Sequence, residues 1–191
     1  MDLFSESTRI DFSNVAFNEL RVMKAERGEI EKFVEQNHYS GCINGVTTDY
    51  CFALRHGNAT LGACIYGRMA MAGQWKRFSE CEDDVIELRR LCCVDDTPRN
   101  TESWFIARTI KWLRKNTKHK IIVSYADAEY GHTGIIYKAS NFEYLGAASG
   151  AKVIEYDGKK YHDKTVRSKY NGKIKPYAQK IIDALKDGRA V

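Results

Sequence analysis

The sequence predicts an α/β fold, a central mixed sheet flanked by helices and followed by a basic C-terminal extension, and three observations carry that prediction. Short apolar runs alternate with segments of helical periodicity in the order β-α-β-β-β-α-β-α-β. After Pro98, "NTESWFIARTIKWLRKN" sets Phe105, Ile106, Thr109, Ile110, Trp112 and Leu113 on one stripe behind a capping residue at Asn100 or Thr101, the pattern of an amphipathic helix. From Lys152 to Lys180 there are nine Lys/Arg against three Asp/Glu, a local excess larger than the +5 of the whole 191-residue chain.

The elements follow in order. "ELRVMKA" reads as a first strand, and "ERGEIEKFVEQNHY" places Ile30, Phe33 and Val34 at helical spacing, ending near His38. "DYCFALRHGNATLGACIYGRM" is a pair of apolar runs around His56-Gly57-Asn58, a hairpin signal. Residues 70–83 form a polar loop carrying Trp75, and "DVIELRRLCCVD" resumes as a long strand. Alternation along that strand predicts Arg90 on one face and Arg89 on the other. "KIIVSYADA" is a further strand, a short helix begins near Thr133, and "EYLGAASGAKVIEYDGKKY" ends the sheet as one or two strands. The expected division is an N-terminal arm over 1–18, a catalytic domain over 19–158 and a basic extension over 159–191 packed on it.

Composition narrows the function classes. No apolar stretch approaches the roughly 20 residues of a membrane span, and "MDLFSESTRIDFSN" has neither a basic n-region nor an apolar h-region, so a cytoplasmic location is expected. Cys42, Cys51, Cys64, Cys81, Cys92 and Cys93 have no zinc-like spacing, and several sit in apolar runs as reduced core thiols. The basic segment attracts polyanions by counterion release, which makes nucleic acid the first partner to consider beside a merely solvated surface. "GKKYHDKTVRSKYNGKIKPY" interleaves its cations, Lys159, Lys160, Arg167 and Lys169 among them, with Tyr161, Tyr170 and Tyr177. That composition suits phosphate contacts with occasional stacking.

The stretch "SYADAEYGHTGIIYKASNF" at 124–142 concentrates an acid, a histidine, glycines and tyrosines. "GIIYKASNFEYLG" within it resembles the GNAT acyltransferase pattern. Together with "NHYSG", "LRRLCCVDDTPRNTESWFIARTI" and "DGKKYH" in this order, the chain is similar to the Mom family of bacteriophage DNA-modification proteins over roughly residues 20 to 165. These are GNAT-like enzymes that convert adenine in DNA to a methylcarbamoylated form, N6-(1-acetamido)adenine, and so shield phage DNA from restriction. The chain departs from ordinary acetyltransferases in "DDTPRNTES", which has none of the glycines of the usual pyrophosphate loop.

An adenine N6 amine is a poor nucleophile because its lone pair is delocalised into the ring. A carboxylate at the C-terminal end of a strand, facing the crevice of an α/β sheet, is placed to accept an N6 hydrogen. Asp127 stands at such a strand end, and the resemblance makes it the acid or base of the site; its other reading is a cap of the following turn. The resemblance makes Tyr137 the general acid for a departing CoA thiolate, against the reading of a core aromatic. Arg90 becomes a site residue by the same match. Ser103 opens the helix after Pro98, where free N–H groups bind anions, so Arg99, Asn100 and Ser103 are candidates to hold the pyrophosphate of acetyl-CoA or a related acyl donor, or Ser103 is a plain cap.

His38 and Tyr39 read locally as a helix C-terminal cap, and under the resemblance they border the base pocket. The same resemblance brings an iron requirement, for which His38, His132 and Asp127 are the candidate ligands, although their spacing gives no independent support. A base within a duplex cannot reach a buried carboxylate, so the substrate adenine is expected flipped out or in single-stranded DNA, stacked on aromatics such as Tyr39, Tyr125, Tyr130 or Trp75. The competing readings are an ordinary GNAT N-acetyltransferase using acetyl-CoA on a small amine or protein lysine, and a catalytically inert scaffold that only binds nucleic acid.

Overall fold

Five strands organise the first of two units into which the chain divides, Met1–Tyr144 and Leu145–Val191. The computed structural model describes residues 11–148, 153–170 and 172–190; the first ten residues of the expected N-terminal arm and residues 149–152 lie outside them. In the first unit the order is β1 (Arg21–Ala25), α1 (Arg27–Asn37), β2 (Tyr50–His56), β3 (Ala59–Gly67), β4 (Val85–Cys93), α2 (Thr101–Asn116), β5 (Ile121–Ser124) and α3 (Ile135–Ala139). The strands lie side by side in chain order, antiparallel from β1 to β4 and parallel between β4 and β5. This is the mixed sheet the sequence predicts, and the parallel pair requires the crossover that α2 supplies.

Each face of the sheet buries its own apolar set. Phe52, Leu54, Leu61, Cys64, Tyr66, Ile86 and Leu88 pack with Phe105, Ile106 and Leu113 of α2. On the other face Ala53, Ala63, Ile65 and Cys92 meet Ile30 and Val34 of α1. Burying side chains of this size contributes roughly 1.5–3 kcal/mol each, before entropy is set against it. A buried hydrogen bond pins α2 to the sheet: Thr109 donates to Ile106 O at 2.8 Å, which leaves the Tyr66 hydroxyl to donate to Thr109 at 2.7 Å. Gly67 lets β3 pass Thr47 closely, since a Cβ there would collide with the Thr47 carbonyl oxygen. The hairpin turn at Gly57, φ +54, is where glycine was read.

β4 corrects one expectation. Its pairing with β3 passes from Ile65↔Arg90 to Tyr66↔Leu88, so Arg89 is an extra residue, a β-bulge. Adding one residue reverses the alternation beyond it. Ile86, Leu88, Leu91 and Cys93 all pack on the α2 side, whereas Cys92 packs on the α1 side. Arg89 and Arg90 are thereby delivered to the same face, that of α1, not to opposite faces.

Helix starts also differ in detail. Asn100 holds the N-cap position of α2 in the left-handed region, φ 70, but its side chain makes no capping bond, and Thr101 donates to Pro98 O at 2.6 Å instead. α3 begins at Ile135, after Gly134 at φ +76 rather than at Thr133. Of the cysteines, Cys51, Cys64 and Cys92 are buried and Cys81 is exposed, all as free thiols; burial pushes the Cys51 thiol up to about 11 and Cys92 to about 12.

In the second unit, β6 (Val153–Tyr156) and β7 (Lys159–His162) pair around Asp157-Gly158, both at positive φ, the chemistry of a tight hairpin turn. α4 (Asp163–Arg167), β8 (Lys169–Tyr170), β9 (Lys173–Ile174) and α5 (Pro176–Lys186) follow. Pro176 opens α5, where its missing N–H costs nothing. Ile154, Val166, Ala178, Ile181 and Ala184 form this unit's own core. Among the described residues β6 and β7 pair only with each other, so they do not end the main sheet as the sequence suggested. No helix among the described residues is long and apolar enough to cross a membrane.

Candidate functional site

The parallel pairing of β4 and β5 covers Val85–Leu88 and Ile121–Ser124, after which β4 runs on to Cys93 while β5 has ended. The two strands thus part company at the carboxyl end of β5, beside the bulge that carries Arg89 and Arg90, the position at which an open α/β sheet forms its crevice. Open α/β sheets offer ligands this kind of place. Three segments bring side chains to it: the turn after α1, the bulge of β4, and residues 125–137.

The turn after α1 is shaped by Gly41, at φ +55, whose amide donates to His38 O at 2.8 Å. The Ser40 amide donates to His38 Nδ1 at 3.1 Å, which makes that nitrogen an acceptor and leaves the ring proton on Nε2. Burial, then the cation of Arg90, pushes His38 down to about 4, so the imidazole is neutral at physiological pH. His38 is the C-cap residue of α1, its amide donating to Val34 O at 2.9 Å as the local reading expected, and its ring is neutral there. The His38 and Tyr39 rings lie 4.2 Å apart, and Tyr39 continues to Tyr130 at 4.4 Å and to His132 at 4.9 Å. His38, Tyr39, Tyr130 and His132 thus form one aromatic group, in which Tyr39 is 44% and Tyr130 57% exposed.

Arg90 supplies its charge. Its guanidinium donates to Arg89 O at 2.8 Å and to Cys42 O at 3.4 Å, both carbonyls, and its buried Nε has no partner among the described residues. Burial, followed by the Asp127 carboxylate, holds the Tyr39 phenol above its ordinary value, with Arg90 opposing. Asp127 is half-buried in the turn after β5, and its carbonyl accepts from the amides of Tyr130 and His132, each at 3.2 Å. Tyr137, from α3, packs against Phe142 at 5.6 Å and on the α2-side core. Burial raises its pKa, with a hydrogen bond to Ser124 partly offsetting this, so the phenol stays protonated at neutral pH.

Glu87 and Arg89 lie at the base of this region, and sequence reasoning missed both as a pair. Arg89 donates to Glu87 Oε2 at 3.3 Å, and the Ala70 amide donates to the same oxygen at 3.0 Å. Glu87 is 7% exposed and its carboxyl is raised, chiefly by burial. A glutamate inside "DVIELRRL" was the available signal. Ser40, which fixes the His38 tautomer, and Ser124 were also unread.

Other expected residues fall elsewhere. Ser103 donates to Asn100 O at 3.0 Å, Arg99 is exposed, and no hydrogen bond or ring contact found among the described residues joins Arg99, Asn100 or Ser103 to the aromatic group. The turn before α2 carries Asp95 and Asp96 against Arg99, and Glu102 stands in the first turn of the helix. That charge balance and the lack of glycine make it a poor fit for a pyrophosphate. Lys159, Lys160 and Lys169 are exposed in the second unit, while Arg167 is paired with Asp163 at 2.6 Å. Among the described residues no group of three or more His, Cys, Asp or Glu comes together to hold a metal, so His38 and His132 do not assemble an iron site with Asp127.

Comparison with known proteins gives the chain its relatives. The sequence model of the Mom protein family matches residues 19–190. The methylcarbamoylase mom of Escherichia phage Mu is 36% identical over 84 residues, 44% of this chain and 34% of that protein's length. Among solved structures, an aminoglycoside acetyltransferase, meta-AAC0020, from an uncultured soil metagenomic sample matches 71% of this chain in its complexes with sisomicin (10% identical, 98% of that chain) and with trehalose (11% identical, 99% of that chain), each with a TM-score of 0.48.

Proposed function

The chain belongs to the Mom protein family, and on that premise we propose that it is a transferase that modifies adenine in DNA, with the methylcarbamoyl group as the addition and protection from restriction as its use. The observation that carries the reading is the convergence of Tyr39, Tyr130, His132, Arg90 and Asp127 at the crevice beside the β4 bulge.

The chemistry follows from those groups. A flipped or single-stranded adenine stacks on the outer face of Tyr130 or Tyr39, worth about 1–3 kcal/mol per base. Asp127 accepts an N6 hydrogen, so electron density returns to the nitrogen as its bond to the incoming carbon forms. Neutral His38 offers its Nε2–H as a donor rather than a charge. Arg90, always protonated, balances the negative charge that develops. Tyr137 gives its proton to the group the donor sheds, and its raised pKa keeps that proton available. Exposed Lys159, Lys160 and Lys169 serve the DNA backbone, with Arg167 able to join them by leaving Asp163.

Nucleoside mass spectrometry on DNA from cells producing the chain tests this. A methylcarbamoyl addition and an acetyl addition differ in composition by NH, so the spectrum separates them. Persistent absence of any heavier deoxyadenosine with folded protein present overturns the reading, and thioester turnover without DNA then points to an ordinary acetyltransferase.

A further inference from the structure

The loop joining β3 to β4 is divided by charge. Residues 68–78, "RMAMAGQWKRF", contain Arg68, Lys76 and Arg77 and no acid, whereas "ECEDD" at 80–84 contains Glu80, Glu82, Asp83 and Asp84 and no base. The two halves are fastened to different ends of β5. At the acidic end, Asp84 binds Lys120 at 2.8 Å, just ahead of β5, and His119 Nδ1 lies 2.7 Å from Asp83 O. At the basic end, Gln74 donates to the Tyr125 hydroxyl at 2.7 Å, two residues from Asp127.

The basic half is held firmly. Arg68 O accepts from Arg89 at 3.0 Å and from Thr47 at 2.9 Å, and the Ala70 amide reaches Glu87 at 3.0 Å. Lys76 and Arg77 remain exposed, with Lys76 5.6 Å from the Trp75 ring centre and Arg77 5.7 Å from that of Phe78. A cationic, aromatic-backed segment whose anchors are the base of the crevice and the residue after β5 meets a polyanion that enters there. The acids of 80–84 sit at the other end of β5, and of the carboxylates at this end, Asp49 and Glu87 are engaged by the Arg68 and Ala70 amides, each at 3.0 Å.

We propose that residues 68–78 form a phosphate-contacting rim of the crevice, with Lys76 and Arg77 binding the DNA backbone that flanks the target adenine. This rests on the DNA-modification reading above. It adds a contact surface in the same unit as Asp127, separate from the basic second unit.

The test measures binding of a short fluorescein-labelled DNA duplex by anisotropy across a salt series. Each phosphate contact contributes about 0.9 to the slope of log affinity against log salt, so Lys76→Gln with Arg77→Gln lowers the slope by about 1.8. Lys76→Arg with Arg77→Lys restores it, and both variants keep the melting temperature of the unaltered chain. An unchanged slope in the Gln variant, or a slope that falls only with Lys159→Gln and Lys160→Gln, overturns the proposal while leaving the DNA reading intact. Failure of the unaltered chain to bind DNA at any salt overturns both.

Discussion

Replacing Arg89 with Met isolates the energetics of the bulge. Glu87 and Arg89 are 9% and 10% exposed in their side chains, and their charged atoms are 3.3 Å apart. Unit charges at that separation attract by about 5 kcal/mol at an effective dielectric near 20. Removing one partner of a buried pair typically costs about 3–5 kcal/mol, because the other charge stays buried. Glu87 escapes that cost by taking up a proton, so its carboxyl, already raised, rises further in the variant. A carboxyl raised on folding stabilises most below its unfolded value, and that stability is lost as pH rises through the folded value. Arg89→Met should therefore lose about 3 kcal/mol at pH 8 and recover much of it at pH 5, read by urea denaturation with tryptophan fluorescence. Equal losses at the two pH values, or no loss, refute the argument. Glu87→Gln combined with Arg89→Met should remove the pH dependence.

Other outcomes follow from the same geometry. Tyr137→Phe should keep the fold and lower the modification rate by roughly 10²–10⁴, the usual worth of a positioned acid; an unchanged rate in a timed nucleoside assay removes the phenol from the chemistry. His38, held down to about 4, binds fewer protons folded than unfolded between about 4 and 6.5, so it contributes stability above that window that is lost as pH falls through it. His38→Gln should flatten stability against pH there by on the order of 2 kcal/mol, measured by denaturation at pH 4.5 and 7. Gly67→Ala forces a methyl group onto Thr47 O and should cost about 3 kcal/mol or prevent folding, checked by circular dichroism and thermal melting.

Periodicity made the first unit legible: Ile30 and Val34 announced α1, and the Phe105 to Leu113 stripe announced α2. The bulge was not legible, because "ELRRLCC" alternates acceptably in either register and only the pairing with Ile65 and Tyr66 decides which arginine faces where. The glutamate–arginine pair was within reach, since straight alternation also sets Glu87 and Arg89 on one face; only Arg90's place beside them needed the bulge. β6 and β7 are strands as expected, yet nothing in "VIEYDGKKYH" says which sheet they join. Tyr39 lies nearly ninety residues before Asp127 and Tyr130, and no spacing joins them; Asp127 was singled out with the help of resemblance to a family and the tyrosines as stacking partners for a flipped base. Their meeting depends on where β5 stops, a fact that three apolar residues and a serine do not encode locally.

The most direct test of the central claim compares DNA from cells producing the unaltered chain with DNA from cells producing Asp127→Asn at equal levels, both digested to nucleosides and weighed by mass spectrometry. The account predicts a heavier deoxyadenosine with the unaltered chain alone. The same heavier nucleoside in both samples removes Asp127 from the reaction, and unmodified adenine in both contradicts the claim that DNA is the substrate.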